Sequence, residues 1–329
     1  MQPELETESG TGAEMIPCCA SSPRPWASVS LPMPGLADAE GPRLPEALPE
    51  VIDAHVHLFP DRVFDAIWRW FSTNAWPIRY PLYTPAVIRF LLDRGVSHLV
   101  ALTYAHRPGM ARMLNAYMAE VCRQEPRVIG LGTVLPGEPD AEGILAEAFA
   151  LGLRGVKLHC HVQCVAPDDE RLRPLYELCA EAGKPLVIHA GREPSSSAYR
   201  CDPYELCAAE RIERVLRDHP RLRLCVPHLG ADEFAAYERL VTRYDNLWLD
   251  TTMAIGDFFP LSGSGVSPLR MVGVRPERMM YGTDFPGLPY AWDREVKKLV
   301  GADLGEEALA AVLGGTARQF FGVGPVVER

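Results

Sequence analysis

The chain has 329 residues, 47% of them hydrophobic, and a formal net charge of −10. That length suits one large barrel domain, and that composition an ordinary globular core. No basic stripe is present, which argues against a nucleic-acid partner, and no run approaches the roughly 18 apolar residues of a membrane span.

Residues 1–48 are rich in Pro, Ser, Gly and Glu and show no period, so they are expected to form a disordered or loosely attached tail before a domain at 49–329. Residues 1–50 hold eight acids and two bases, a net of −6, so the charge is unevenly spread toward the N-terminal segment. The first basic residue is Arg24, so no charged start followed by an apolar core is seen. The nine cysteines are odd in number and form no repeating pattern. They read as reduced thiols of a cytoplasmic protein. Cys160 and Cys164 have a ligand-like spacing but no second pair beside them.

The stretch VIDAHVHLFP (51–60) is the first strong signal. Alternation along a strand places Asp53, His55 and His57 on one face and Ile52, Ala54 and Val56 on the other. Three polar side chains on a buried face are costly unless satisfied, and two imidazoles from one strand make half of a tetrahedral zinc site. Segment 59–84 follows and holds three of the six tryptophans. It is expected to form an aromatic lid or packing insert, with Trp68, Trp70 and Phe71 in a helix core and Trp76, Arg79 and Tyr80 facing a pocket.

Seven more apolar runs follow, at 97–104, 127–134, 153–160, 184–190, 223–230, 246–252 and 278–284. Between most of them lie amphipathic stretches, as at 109–124, 140–152, 169–183 and 202–219. Leu172, Leu175, Tyr176 and Cys179 recur at helical steps, and Gly183 with Lys184-Pro185 marks a helix stop. Eight strands alternating with helices predict an α/β fold, a (β/α)8 TIM barrel. The alternative, an open doubly wound sheet, usually shows a Gly-rich first turn, and none follows Pro60.

Active sites of such barrels sit at the carboxyl ends of the strands. His55 and His57 end the first strand, Lys157 and His159 the fourth, His189 the fifth and His228 the sixth. Asp284 follows the eighth, and His161 lies just past the fourth. His98 and His219 fall elsewhere and read as surface residues, while His106 is a further pocket candidate. Imidazoles with a nearby carboxylate are the residue types of a hydrolytic metal site.

Five motifs, DAHVH, GVKLH, VIHAG, PHLG and GTDFP, occur in an order that resembles the amidohydrolase superfamily over 51–321. The branch is the amidohydrolase 2 group, which includes the aminocarboxymuconate-semialdehyde decarboxylase-like enzymes. The closing GGTARQFFG (314–322) is similar to that family's C-terminal helix, with Thr316 where Asn is usual. The resemblance implies a distorted barrel with a divalent metal, usually zinc. It implies His55, His57, His189 and Asp284 as ligands, and His228 against the metal-bound water or the substrate. Lys157 corresponds either to a carboxylated, metal-bridging lysine or to a cation for a substrate anion or a partner for Asp284; His159 is expected to contact the rim or the substrate, or to supply a ligand if a second metal is bound. Four ligands complete a zinc shell apart from water, so one metal is expected.

The first functional expectation is hydrolysis of a small amide, lactone or related carbonyl compound by a zinc-activated water, with Asp284 moving the proton and His228 steadying the oxygen. The main alternative is non-oxidative decarboxylation of an aromatic or unsaturated acid. Arg192, in the loop after the fifth strand, is the candidate anchor for a substrate carboxylate. A third reading is a barrel that binds metal or ligand without catalysis. The expected partner is a small molecule, and the resemblance allows a homodimer.

Overall fold

The computed structural model of the protein describes residues 31, 33–258 and 266–324. Eight short parallel strands alternate with helices: β1 (Ile52–His57), β2 (His98–Leu102), β3 (Val128–Gly130), β4 (Val156–His159), β5 (Leu186–His189), β6 (Leu224–Val226), β7 (Leu247–Asp250) and β8 (Met279–Met280). Each falls inside one of the apolar runs. The ladders group as β1-β2-β3 and β4-β5-β6-β7-β8. Bridges Gly132–Val156 and Val56–Phe285 join the two groups at both seams, so the strands run round as a distorted (β/α)8 barrel.

Strand alternation sorts the core into two clusters. Leu158, Ile188, Val226 and Leu249 belong to the large outer cluster under the helices. Ile52, Val100, Ile129, Val187, Cys225 and Met280 fill a smaller inner cluster. The closing helix Thr316–Phe321 adds Ala317, Phe320 and Phe321 to that inner cluster and plugs one end of the barrel.

β1 departs from strict alternation. Ile52 and Ala54 pack in the inner cluster and Val56 and Leu58 in the outer one. The parity flips where the β1–β2 register shifts between Asp53 and Val56. An extra residue there turns His55 and His57 toward the mouth above the apolar plug, so the expected shared face of Asp53, His55 and His57 is broken.

The expected tail is corrected over its described part. Leu44 is buried, and its N–H donates to the Arg94 carbonyl at 2.7 Å. Asp38 forms a buried ion pair with Arg294 at 3.1 Å, and the Gly41 N–H donates to Asp293 at 2.8 Å. These contacts dock residues 33–48 on the barrel, because buried partners on the domain need the segment's polar groups. Residues 1–30, with Cys18 and Cys19, lie outside the described residues, as do 259–265 of the loop after β7. Among the described residues no helix is long and apolar enough to cross a membrane.

Candidate active site

The ends of the strands bring the polar side chains together. In β4 and β5 the outer residues are apolar, and Lys157, His159 and His189 face the cavity instead. β4 and β5 pair in register, His159 opposite His189, and the two rings stack at 4.2 Å with 10° between their planes. Two site residues hold left-handed backbone, His228 at φ 58° and Asp284 at φ 75°. Such conformations cost about 1–3 kcal/mol each and persist where neighbours fix them. Here the His228 N–H donates to Asp250 at 3.0 Å, and the Asp284 N–H donates to the His55 carbonyl at 2.9 Å. Gly282 is required beneath them, since a Cβ there would meet Thr252 Oγ1 at 2.5 Å and His55 Cβ at 2.8 Å.

Hydrogen bonds fix the tautomers. His55 Nδ1 lies 2.8 Å from Asp250 Oδ2, and His228 Nδ1 lies 2.8 Å from the Thr252 carbonyl oxygen. Those oxygens accept, so each Nδ1 donates and the lone pair of each neutral ring sits on Nε2. Burial, then the Lys157 charge, pushes His55 down to about 4, and burial lowers His228. Both rings are therefore neutral at pH 7.

The His55 lone pair faces Asp284 Oδ1 at 3.3 Å, and the His228 lone pair faces His189 Nδ1 at 3.1 Å. His57 Nε2 is 3.1 Å from the same Asp284 oxygen. Burial raises the Asp284 carboxyl, but the His57 hydrogen bond and the neighbouring imidazoles outweigh it and hold the group below the ordinary carboxylate range. Electron-rich atoms at these distances repel unless a cation, a proton or a metal ion, lies among them. One ligand atom each of His55, His228 and Asp284 lies within 4.8 Å of the others. Imidazoles with one carboxylate suit a divalent ion, so the residues fit the metal.

Asp250 supports this arrangement. Its Oδ1 accepts from the His228 and Thr252 N–H groups at 3.0 and 3.2 Å while Oδ2 orients His55. Asp53 anchors the other side, accepting the Thr283 hydroxyl at 2.6 Å and the His55 N–H at 3.1 Å. The sequence reading did not single out Asp250. Its position at the end of a strand in LWLDTT is the one signal that points to it.

A second histidine group adjoins the first. His159, His161 and His189 each offer a ring nitrogen within 4.8 Å of the others. His161 Nε2 donates to the Gly191 carbonyl at 2.7 Å. Lys157 Nζ is buried with no hydrogen-bond partner. Burial pushes this ammonium down to about 8, and Asp250 and Asp284 limit the fall, so it is mostly charged at pH 7.

These groups line the floor of a cavity of about 500 Å³. Its walls include Phe59, Trp68, Trp70, Trp76, Tyr104 and Tyr199. Trp70 and Phe71, expected in a helix core, line the cavity instead, and Trp68 packs against the core as expected but also lines the cavity, because helix α1 (Asp61–Asn74) lies across the mouth. Trp76 and His106 line it as expected. Arg79 and Tyr80 do not: both engage Glu40 of the docked N-terminal segment. Arg192 also lies away from the cavity wall. It pairs with Asp232 at 2.7 Å and Glu233 at 3.5 Å, which occupy its guanidinium. The arginines at the mouth are Arg107 and Arg200, which sequence reasoning missed.

Parallel strands that present imidazoles and a carboxylate at their ends, beneath an aromatic cavity, define a TIM-barrel enzyme. The chain belongs to the amidohydrolase family: the amidohydrolase 2 model matches residues 52–323. Among solved structures it is similar to an uncharacterised TIM-barrel protein of Bordetella bronchiseptica, at 22% identity over 83% of this chain and 98% of that one, TM-score 0.62. It is also similar to the 5-carboxyvanillate decarboxylase of Novosphingobium aromaticivorans, solved with manganese and 4-hydroxy-3-methoxy-5-nitrobenzoic acid, at 18% identity over 86% and 99%, TM-score 0.60. A third is the 4-oxalomesaconate hydratase of Rhodopseudomonas palustris, at 15% identity over 83% and 95%, TM-score 0.55. At these identities the likeness is one of fold. No curated protein matches the chain.

Proposed function

We propose that the chain is a metal-dependent carboxy-lyase that removes carbon dioxide from a flat aromatic or unsaturated acid. The carrying observation is an aromatic-walled cavity whose floor holds a buried ammonium, Lys157, with no hydrogen-bond partner in the protein. A conjugated acid suits both features, with its ring against Tyr104 and the tryptophans and its carboxylate toward Lys157. His55, His57, His189 and Asp284, with His228 Nε2 between His189 and the His55–Asp284 pair, would hold one divalent ion, zinc or manganese, which when bound supplies positive charge to polarise the acid and its neighbouring oxygen.

The chain's own groups do the rest. Asp284 takes the proton of a substrate hydroxyl beside the carboxylate and returns it to the ring carbon. The carbon–carbon bond breaks, its electron pair stays on that carbon, and carbon dioxide leaves. His228, held by Thr252, steadies the substrate oxygen. Arg107 and Arg200 at the mouth suit an anionic substituent. A decarboxylase and a hydratase among the similar structures are compatible with this chemistry.

Hydrolysis is the second reading, favoured by an anionic Asp284 that can serve as base for water. It ranks below decarboxylation because a neutral amide or lactone offers no anion to the Lys157 ammonium, which makes no hydrogen bond to Asp250 or Asp284. The test is a panel of hydroxybenzoates and a panel of lactones with the metal-loaded enzyme. Carbon dioxide release from the acids alone is expected. Lactone turnover without carbon dioxide release would reverse the assignment.

A further inference from the structure

Seven cysteines lie among the described residues, all as free thiols. Four of them gather round His161 in two pairs. Cys160 and Cys207 form a hydrogen-bonded pair with no solvent exposure, and Cys207 also meets the His161 ring. Cys164 and Cys201 form a second pair, half-buried. Both of their thiols also reach one acceptor, the His161 carbonyl oxygen, at 3.6 Å from Cys164 and 3.2 Å from Cys201. Two sulfurs at 3.6 and 3.2 Å from one oxygen are neighbours, and no other side chain need move from between them for the pair to meet on that oxygen's side.

We propose that Cys164 and Cys201 are an oxidation site, joined by hydrogen peroxide or an organic peroxide into a reversible disulfide that staples the turn after β4 to the loop after β5. The step balances with hydrogen peroxide as follows. The Cys164 sulfur attacks one peroxide oxygen, the O–O bond breaks, and the leaving hydroxide takes the thiol proton as water. The Cys201 sulfur then attacks the sulfenic sulfur, the S–O bond breaks, and a second water leaves with the Cys201 proton. The sulfurs lose two electrons together, and the peroxide gains them. Burial and the Cys164 partner push the Cys201 thiol up to about 12, which fits Cys201 as the resolving thiol rather than the first to react.

The two joined segments form one wall of the cavity. His161 and Val162 lie just before Cys164, and Tyr199 and Arg200 just before Cys201. A bridge therefore pins the part of the mouth that carries Arg200. This does not depend on which reaction the enzyme performs.

The test treats the metal-loaded enzyme with hydrogen peroxide, alkylates the remaining thiols after unfolding, and maps the peptides by mass spectrometry. A Cys164–Cys201 cross-linked peptide is expected, lost on treatment with dithiothreitol and absent from C164S, with Cys160 and Cys207 alkylated. Both Cys164 and Cys201 recovered as thiols, each oxidised separately, or either joined to another cysteine would overturn the proposal. Limited trypsin cleavage after Arg200, which is exposed, reads the pinning. Cleavage should slow severalfold on oxidation and recover on reduction. An unchanged rate in enzyme shown to be cross-linked would overturn the claim that the bridge pins the wall.

Discussion

Asp250→Asn isolates the tautomer control from the ligands themselves. Asp250 accepts three hydrogen bonds, from His55 Nδ1 at 2.8 Å and from the N–H groups of His228 and Thr252 at 3.0 and 3.2 Å. An asparagine of the same shape has one oxygen. If that oxygen faces the two N–H groups, the amide NH2 faces His55 Nδ1. The ring must then accept there and carry its proton on Nε2, which points at Asp284 and is lost as a ligand atom. If the amide is turned the other way, NH2 meets two N–H donors in a buried site, at a cost of about 1–3 kcal/mol per unsatisfied group. Either orientation weakens the centre. Loss of such a carboxylate behind a ligating histidine costs about 10–100-fold in metal affinity, or about 1.4–2.7 kcal/mol. Competition with a chromophoric chelator measures it, and the melting temperature of the metal-free variant controls for folding. A D250N protein that binds zinc within twofold of wild type would refute the reasoning.

Three further outcomes follow from the same geometry. Asp284→Asn should lower turnover at least about a hundredfold, as expected for loss of a general acid–base group, and a steady-state assay retaining a tenth of wild-type rate would contradict its role. Lys157→Met should weaken binding of the acid substrate about ten- to hundredfold, the worth of a charge-assisted contact, with metal content unchanged; a fall in bound metal would instead favour a bridging lysine. His159→Asn should leave one metal per chain and change the pH dependence of stability. Burial holds His159 neutral in the fold, well below the ordinary imidazole value of 6.5. The unfolded chain takes a proton below pH 6.5 that the fold refuses, so this residue costs stability as pH falls, by up to about 1.4 kcal/mol per unit. Metal-free wild type should therefore lose melting temperature faster than H159N below pH 6.5, and parallel curves would disprove it.

The strand-end residues were legible because period-two alternation in a parallel barrel sends them to one rim. His159 and His189 reach it by local spacing, whereas His55 and His57 need the register shift of β1, and His228 and Asp284 need left-handed backbone held by Asp250 and His55. Asp250 also ends a strand, but its importance comes from His55 and His228, which only the closed barrel brings to it. β1 hid its irregularity, since the register shift depends on pairing with β2 and not on its own residues. Arg192 looked like an anchor in sequence, but Asp232 and Glu233 arrive from the loop after β6 and hold it. The aromatic residues of α1 fit a buried helix face by periodicity, and their use as cavity wall follows from where that helix lies. Residues 33–48 have a tail-like composition yet dock through a few buried polar contacts that composition does not encode.

Metal analysis of the purified wild-type protein, by mass spectrometry of the element content after extensive buffer exchange, tests the proposed centre most directly. One equivalent of a divalent ion per chain is predicted, with a lower melting temperature after chelation. Metal-free protein whose melting is unchanged by chelation would contradict a metal centre. Two equivalents that fall to one or none in Lys157→Ala would contradict the single-ion centre and place Lys157 between two metals.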